Sequence, residues 1–337
     1  KAAFRENTSG TEGTAVGLFA LKLNTTGNYN TAVGCKALEA NTTASNNTAV
    51  GYQSMHGNTT GVDNVALGAN SLYTNTTGTN NTAIGLQALE KNTTADNNTA
   101  VGFKALEETT TGDRNVAVGS KCLEANTTGA ANVSVGTNAL DANTTASNNT
   151  AVGYNALTTN TTGDSNTAVG ADAMKLFTTG QYTTAVGSEA LADATTSTWS
   201  TAVGRRCLYR VTTGNNNTAM GQGCAQNITT GYENVAVGSD ALQNCVTGNY
   251  NCAIGRVAAA NIEGSYITAL GTNAGKGASS GCTGSNNVAL GSYSLDQFTS
   301  GSYNVAAGHD TARNITTGQN NVCLGHAAGH SSSPSGQ

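Results

Sequence analysis

The sequence predicts an all-β fold, a β-solenoid of about twenty coils that each contain 17 residues. A glycine that closes a Thr/Val-Ala-Val type of phrase recurs every 17 residues from Gly17 to Gly255, and after steps of 16 and 20 it continues to Gly325. Only 10% of the residues are charged and there is one proline, whereas disordered chains are usually rich in Pro, Glu and Lys. A 17-residue unit cannot bury its own apolar face, but stacked units can.

The elements of one repeat follow from the positions around this glycine, which we number 0. Positions −3 to −1 alternate with period 2, which predicts a short strand with −3 and −1 facing the core and −2 facing outward. The glycine then forms a corner, a second short strand follows, and Gly or Ala at +10 turns the chain back. At a strand spacing of about 4.8 Å, about twenty coils predict a rod about 95 Å long.

Position −2 is Ala in almost every repeat, for example in Ala32 and Ala49. If it faces outward, the column forms a flat, weakly apolar stripe, and such surfaces commonly mark association sites. The alternative interpretation is that small residues only permit tight corners.

Position +7 is predicted to face inward. It is Asn in the first half of the chain and mostly apolar in the second. Three repeats exchange Leu at +4 and Asn at +7 for Ala and Ile, namely Ala225 with Ile228, Ala259 with Ile262, and Ala312 with Ile315. Since close-packed interiors tolerate volume-conserving exchanges best, +4 and +7 share one piece of core. We therefore expect an internal Asn ladder that carries no glycan.

Outward positions suggest modification sites. Asn residues of Asn-x-Thr motifs at positions +12 and +6 are the predicted N-glycan acceptors, Asn46, Asn80, Asn97, Asn148, Asn216, Asn227 and Asn314. Position +8 predicts an exposed threonine ladder, formed by Thr25, Thr42, Thr59, Thr76, Thr93, Thr110, Thr127, Thr144 and Thr161. Solvation and β-propensity explain this ladder, and O-linked sugars or an ice-ordering surface are the alternatives. Tyrosine recurs at +12, where stacking on sugars is a further interpretation.

The cysteines contain no Cys-x-x-Cys pair. Cys207 and Cys224 both occupy +3 in adjacent coils, and a spacing of about 4.8 Å is within the Cα range of a disulfide, which we predict here. The alternative is that Cys only replaces Ala, as at Cys122, which has no partner in its column.

Several function classes are disfavoured. The net charge of −5 and the lack of a basic run argue against nucleic acid as a partner. No stretch approaches the about 18 apolar residues of a membrane span. No nucleophile motif or carboxylate cluster is recognisable, so we expect no enzyme, no catalytic residues, no cofactor and no metal.

The phrase Asn-x-Ala-Val-Gly, followed by small-Leu and Asn-Thr-Thr-Gly, resembles the YadA-like head repeats of trimeric autotransporter adhesins and related phage tail-fibre repeats. The matching stretches include 30–34, 47–51 and 81–85, with copies through Gly325. The resemblance implies a left-handed β-roll that is often trimeric, displayed outside the cell and used for attachment.

Together these patterns predict one continuous solenoid domain over residues 1–330 and a Ser/Pro/Gly-rich tail over 331–337. The predicted function is an extracellular structural or adhesive fibre at the cell surface, glycosylated and assembled with itself end to end or side by side. An ice-binding solenoid and a trimeric adhesin or phage fibre head that binds a surface receptor or glycans are the alternatives. The first repeat begins in its middle at Lys1, which predicts either a piece of a longer protein or an end that stacks on another copy.

Overall fold

The structure is a computed structural model that describes residues 3–329. The chain divides into two compact units, Lys1–Asn166 and Thr167–Gln337. The predicted tail at 331–337 lies outside the described residues, and the single continuous domain stays a prediction. No helix long and apolar enough to cross a membrane occurs between residues 3 and 329.

Nineteen strands of three residues each form the regular structure of the described chain. The first unit contains β1 (Thr14–Val16), β2 (Thr31–Val33), β3 (Thr48–Val50), β4 (Val65–Leu67), β5 (Thr82–Ile84), β6 (Thr99–Val101), β7 (Val116–Val118), β8 (Val133–Val135) and β9 (Thr150–Val152). The second contains β10 (Thr167–Val169), β11 (Thr184–Val186), β12 (Thr201–Val203), β13 (Thr218–Met220), β14 (Val235–Val237), β15 (Cys252–Ile254), β16 (Thr268–Leu270), β17 (Val288–Leu290), β18 (Val305–Ala307) and β19 (Val322–Leu324).

Strands that follow each other in the chain pair in parallel, with equivalent repeat positions opposite each other. Thr82 pairs with Thr99 in the first unit, and Thr184 pairs with Thr201 in the second. Within each unit each coil therefore stacks directly on the one before it, and the predicted β-solenoid fold is confirmed.

The predicted orientation of the strands is wrong. The alanine at −2 is the buried residue of each strand, and Ala83, Ala100 and Ala202 have no exposed surface. Positions −3 and −1 face outward, as shown by Val16 with 57% of its surface exposed and Leu67 with 46%. Between β2 and β18, every buried −2 residue is Ala except Ser134, which indicates that the narrow coil interior accepts only a small side chain there.

Position +4 supplies the large apolar side chains of the interior. Leu38, Leu72 and Leu106 are fully buried, and so are the alanine and isoleucine of the exchanged pair Ala259 and Ile262. The prediction that +4 and +7 both lie in the core is therefore confirmed.

The second strand predicted after the glycine corner does not form, because residues at +2 and +4 have positive φ. Lys104 has a φ of 57° and Leu106 a φ of 54°, and left-handed residues interrupt an extended chain. A third left-handed residue lies at +12, as in Asn97 with a φ of 60°. Asn is among the residues that tolerate this region best, which gives the +12 asparagines a backbone reason to be there.

The repeat glycine is fixed by the close approach of neighbouring coils. Gly102 has a φ of 141°, and a Cβ added to it would lie 2.3 Å from the carbonyl oxygen of Gly119. A side chain therefore meets both an unfavourable φ and the backbone of the next coil.

The asparagines at +7 form the predicted internal ladder. The Nδ2 group of Asn41 donates to Oδ1 of Asn24 at 2.8 Å, and that of Asn58 donates to Oδ1 of Asn41 at 3.1 Å. The same Nδ2 of Asn58 also donates to the carbonyl oxygen of Gly61 at +10, 2.9 Å away. Because these amides have no exposed surface, the ladder satisfies buried polar groups between coils.

A second buried ladder, which is not among the predicted ones, lies at position −4. The backbone N–H of Asn64 donates to Oδ1 of Asn47 in the preceding coil at 3.0 Å. The Nδ2 group of Asn64 donates to the carbonyl oxygen of Gly78, which lies at +10 of the same repeat, at 2.9 Å. This column thus joins successive coils and closes each one, and its signal was the almost constant Asn directly before each strand.

Candidate functional site

The outward face of the strands is uncharged throughout the described chain. Positions −3 and −1 of all nineteen strands contain only Thr, Val, Ile, Leu, Met, Ala and Cys. Several of these side chains are well exposed, among them Leu67 at 46%, Met220 at 51% and Ile254 at 40%. We call these two columns the strand face, and it takes the place of the predicted outward Ala stripe, which is buried.

The threonines at +8 are partly exposed, but their hydroxyl groups are already bonded. Thr25 donates its hydroxyl hydrogen to the carbonyl oxygen of Thr42 at 3.0 Å, and Thr59 donates to Thr76 at 2.9 Å. The same bond, at 2.8 to 3.2 Å, recurs for each +8 threonine from Thr8 to Thr144. An O-linked sugar on these residues would remove a hydrogen bond between coils, and such modification stays a prediction.

In the first unit the neighbouring column at +9 presents the free hydroxyl groups. Its members in the first unit are all exposed and make no side-chain hydrogen bond within the described chain: Thr26, Thr43, Thr60, Thr77, Thr94, Thr111, Thr128, Thr145 and Thr162. Strict in–out alternation through this turn predicts the exposed ladder at +8, whereas the more exposed threonines of the first unit lie at +9.

The predicted glycan acceptors lie on the surface to different degrees. The five asparagines at +12 are exposed, whereas Asn227 and Asn314 at +6 are half-buried. The Nδ2 group of Asn227 also donates to Oδ1 of Asn244 at 2.9 Å. Glycosylation of all seven residues stays a prediction.

Cys207 and Cys224 lie next to each other in the core, with no exposed surface, and both are thiols in this structure. A hydrogen bond with the Cys224 thiol, together with burial, raises the pKa of Cys207 well above its usual range. The thiol of Cys224 also approaches the carbonyl oxygen of Ala236 at 3.2 Å. Their oxidation to a disulfide stays a prediction.

Carboxylates stack at position +5 in the first unit. Glu107 forms an ion pair with Lys104 at 3.0 Å, and Glu124 forms one with Lys121 at 3.2 Å. Burial raises the pKa of Glu107, despite the opposing effect of Lys104. Burial and then the charge of Glu124 raise the pKa of Asp141. Within residues 3–329 no group of three or more His, Cys, Asp or Glu side chains could hold a metal ion.

Exposed aromatic rings pair between coils in the second unit. Tyr182 and Trp199 at +12 are parallel with ring centroids 6.4 Å apart, and Tyr250 and Tyr266 are stacked at 5.0 Å. The rings cover each other along the stacking direction of the coils, which reduces the face area left for a flat ligand.

The second unit also contains surface depressions. One has a volume of 430 Å³ and is lined by side chains of positions +6 and +8 together with Ser280 and Gly281. Another, of 410 Å³, lies among the ion pairs Lys175–Asp172 and Arg206–Glu189.

Comparison with known proteins adds no family to this geometry. A scan of protein-family models gave no match to the chain, and a search of curated proteins gave no relative.

Proposed function

We propose that this protein is an extracellular structural and adhesive fibre protein that associates with copies of itself through the strand face. The supporting observation is that this outward sheet face has no charged residue in any of the nineteen strands. Exposed apolar surface of this regularity commonly marks a site of association.

The size of the face fits such a role. Strands spaced by about 4.8 Å, each about 10 Å long, give a flat area on the order of 400 Å² for the nine strands of the first unit. This is close to the largest apolar patch of a typical monomer and about half of the roughly 800 Å² per partner in a stable interface. The second unit carries a face of similar composition on its own ten strands.

The preferred partner is a second copy of the same chain. A face of Thr and Val offers no charge to attract an ionic partner, and it is complementary to another face of the same composition. The coils also support end-to-end growth, because successive coils present parallel strands in the same register to their neighbours. The predicted glycan acceptors at +12 and the +9 threonines lie outside the strand face and are exposed.

The test compares a charge placed on the strand face with the same charge placed elsewhere. Val118→Lys introduces a cation at −1, where 37% of the side chain is exposed. Asn97→Lys is the matched control, because it lies at +12, where the chain itself carries Arg114. We expect the parent protein and the control to associate in sedimentation velocity and the face variant to dissociate several-fold more readily.

Negative-stain microscopy separates the two modes of assembly, since lateral association increases the width of the particles and stacking increases their length. A parent protein that stays a single chain at all concentrations would contradict the proposal, and so would equal association of the two variants.

Ice binding is the second candidate, and the +9 column favours it. In the first unit its exposed hydroxyl groups repeat once per coil and make no side-chain hydrogen bond within the described chain, which suits a surface that orders water. A thermal-hysteresis measurement on the parent and on Thr94→Lys would detect this activity; absence of hysteresis in the parent excludes it.

A further inference from the structure

The 17-residue repeat is interrupted at one place, where the steps to Gly271 and then to Gly291 are 16 and 20 residues. The added residues form a loop whose exposed part is 278–281. The loop is anchored on both sides, because the N–H of Ala278 donates to the carbonyl oxygen of Phe298 at 3.0 Å and that of Cys282 donates to Asn261 at 3.1 Å. These backbone hydrogen bonds fix the loop to the neighbouring coils of the second unit.

This loop forms one wall of a groove of 430 Å³, which is within the range of about 300–1,000 Å³ typical of small-molecule sites. The other walls come from positions +6 and +8 of successive coils. Side chains that line the groove include Arg210, Asn227, Asn244, Val246, Glu263 and Ser280. Since the loop has no counterpart in the other coils, the groove is specific to this part of the repeat array.

One wall is an outward amide ladder. The Nδ2 group of Asn227 donates to Oδ1 of Asn244 at 2.9 Å, and that of Asn244 donates to Oδ1 of Asn261 at 3.0 Å. The Nδ2 group of Asn261 then donates to the carbonyl oxygen of Gly277 at 3.2 Å, so the ladder also supports the loop. An amide can make about four hydrogen bonds, and these contacts leave Asn244 one N–H and one acceptor site.

The groove also contains two charged side chains, Glu263 and Arg210. A carboxylate oxygen of Glu263 accepts the backbone N–H groups of Val246 and Thr247 at 3.1 and 3.2 Å. Arg210 at the other side is exposed, so the groove combines one anion and one cation with neutral donors and acceptors.

We propose that this groove binds a neutral saccharide chain. Fixed donors and acceptors alternate along it at the coil spacing, which suits the hydroxyl groups of successive sugar rings. The balanced charges select against a strongly anionic or cationic ligand. The proposal rests on the adhesive part of the proposed function and names neutral saccharides as its ligand class. The site lies within one chain and does not require self-association.

The test uses the full chain produced in a host that does not glycosylate proteins. Isothermal titration with maltotetraose, cellotetraose and chitotetraose should detect binding of at least one of them at one site per chain. Ser280→Trp fills the groove from the exposed loop without changing the amide ladder, and it should weaken that binding by about tenfold or more. Ser279→Trp is the matched control, since Ser279 is equally exposed but does not line the groove.

Asn244→Ala removes groove donors, and Asn314→Ala removes an Asn at the equivalent +6 position away from the groove. We expect a loss of about tenfold in the first and no change in the second. Failure of all three saccharides to bind at millimolar concentration would overturn the proposal, as would equal loss in the two tryptophan variants.

The saccharide could also come from the chain itself, through a glycan on Asn227. Glycopeptide mapping of protein from a glycosylating host distinguishes this source. A glycan on Asn227, combined with no binding of free saccharide by the unmodified chain, overturns a ligand site. Sedimentation on the same samples reports self-association separately, so failure of the saccharide site and failure of the fibre proposal are distinguishable.

Discussion

The +7 amide ladder of the first unit contains one broken rung, at Thr109, which offers a direct test of what the ladder contributes. The amide below it, Asn92, has a buried Oδ1 atom without a hydrogen-bond partner among the described residues. The amide above it, Asn126, donates to the Thr109 hydroxyl at 3.3 Å, longer than the 2.7 to 3.1 Å of intact rungs. Thr109→Asn should restore both contacts.

The expected gain follows from the orphaned acceptor. Leaving a buried polar group without a partner costs about 1–3 kcal/mol, and the new amide would supply the missing donor to Asn92. Asn and Thr are close in volume, so overpacking adds little to this balance. We therefore expect Thr109→Asn to increase the free energy of local unfolding by about 1–3 kcal/mol.

Asn58→Thr is the matched control, because it copies the natural break into an intact part of the ladder. It removes the donor to Asn41 at 3.1 Å and should lower local stability by a similar about 1–3 kcal/mol. Native-state hydrogen exchange read by mass spectrometry is the suitable assay, since repeat proteins open locally and a single global value is poorly defined for them. If Thr109→Asn leaves protection unchanged or lowers it while Asn58→Thr lowers it, the orphaned acceptor is not a cost and the reasoning fails.

Three further predictions test the corners, the charges and the thiols. Gly102→Ala should destabilise its coil more than Gly281→Ala, because both glycines have positive φ but only the first would bring a Cβ to 2.3 Å of the next coil; equal shifts in urea unfolding would refute the clash. The pKa of Asp141 is raised in the folded protein, so the carboxyl group costs stability as pH rises above the usual carboxyl range. The free energy of unfolding of Asp141→Asn should therefore increase relative to that of the parent as pH rises from about 3.5 to about 7. A difference in unfolding free energy that stays constant with pH would refute this prediction. Non-reducing peptide mapping should find Cys207 linked to Cys224 in oxidised material, and recovery of Cys207 as an alkylated thiol after denaturation would exclude the disulfide.

The fold could be predicted from the sequence because the chain contains many copies of one unit that can be compared with each other. A register of 17 residues allows only stacked coils, and the exchange of Leu and Asn for Ala and Ile placed positions +4 and +7 in one core. Ala259 and Ile262 are both fully buried in the structure, as this argument requires. Steric compensation between two columns is a constraint that a single sequence can reveal when it contains many copies of the same unit.

The second Asn ladder and the exposed threonines could not be placed in the same way. Their assignment depends on where the backbone leaves the extended conformation, and the left-handed residues at +2, +4 and +12 carry side chains as different as Lys104, Leu106 and Tyr29. Such residues have no intrinsic preference for positive φ, so contacts with the neighbouring coils impose it. The local sequence therefore does not predict which positions are left-handed. Strict alternation therefore failed in the turns, and the free hydroxyl column was assigned one position too early.

The outward orientation of the large strand side chains follows from the small size of the coil, and the proposed association depends on it. In most folds a column of Val and Leu faces inward because burial of apolar area stabilises the folded state. Here the interior opposite the strand is so narrow that Ala100 and Ala117 fill it, and the larger side chains, such as Val118, must face outward. The apolar surface that remains exposed cannot be buried by the chain's own coils, which is why we propose a second molecule as its partner. The proposed association would then follow from the 17-residue period, because a coil that closes in so few residues has more apolar side chains than its interior can hold.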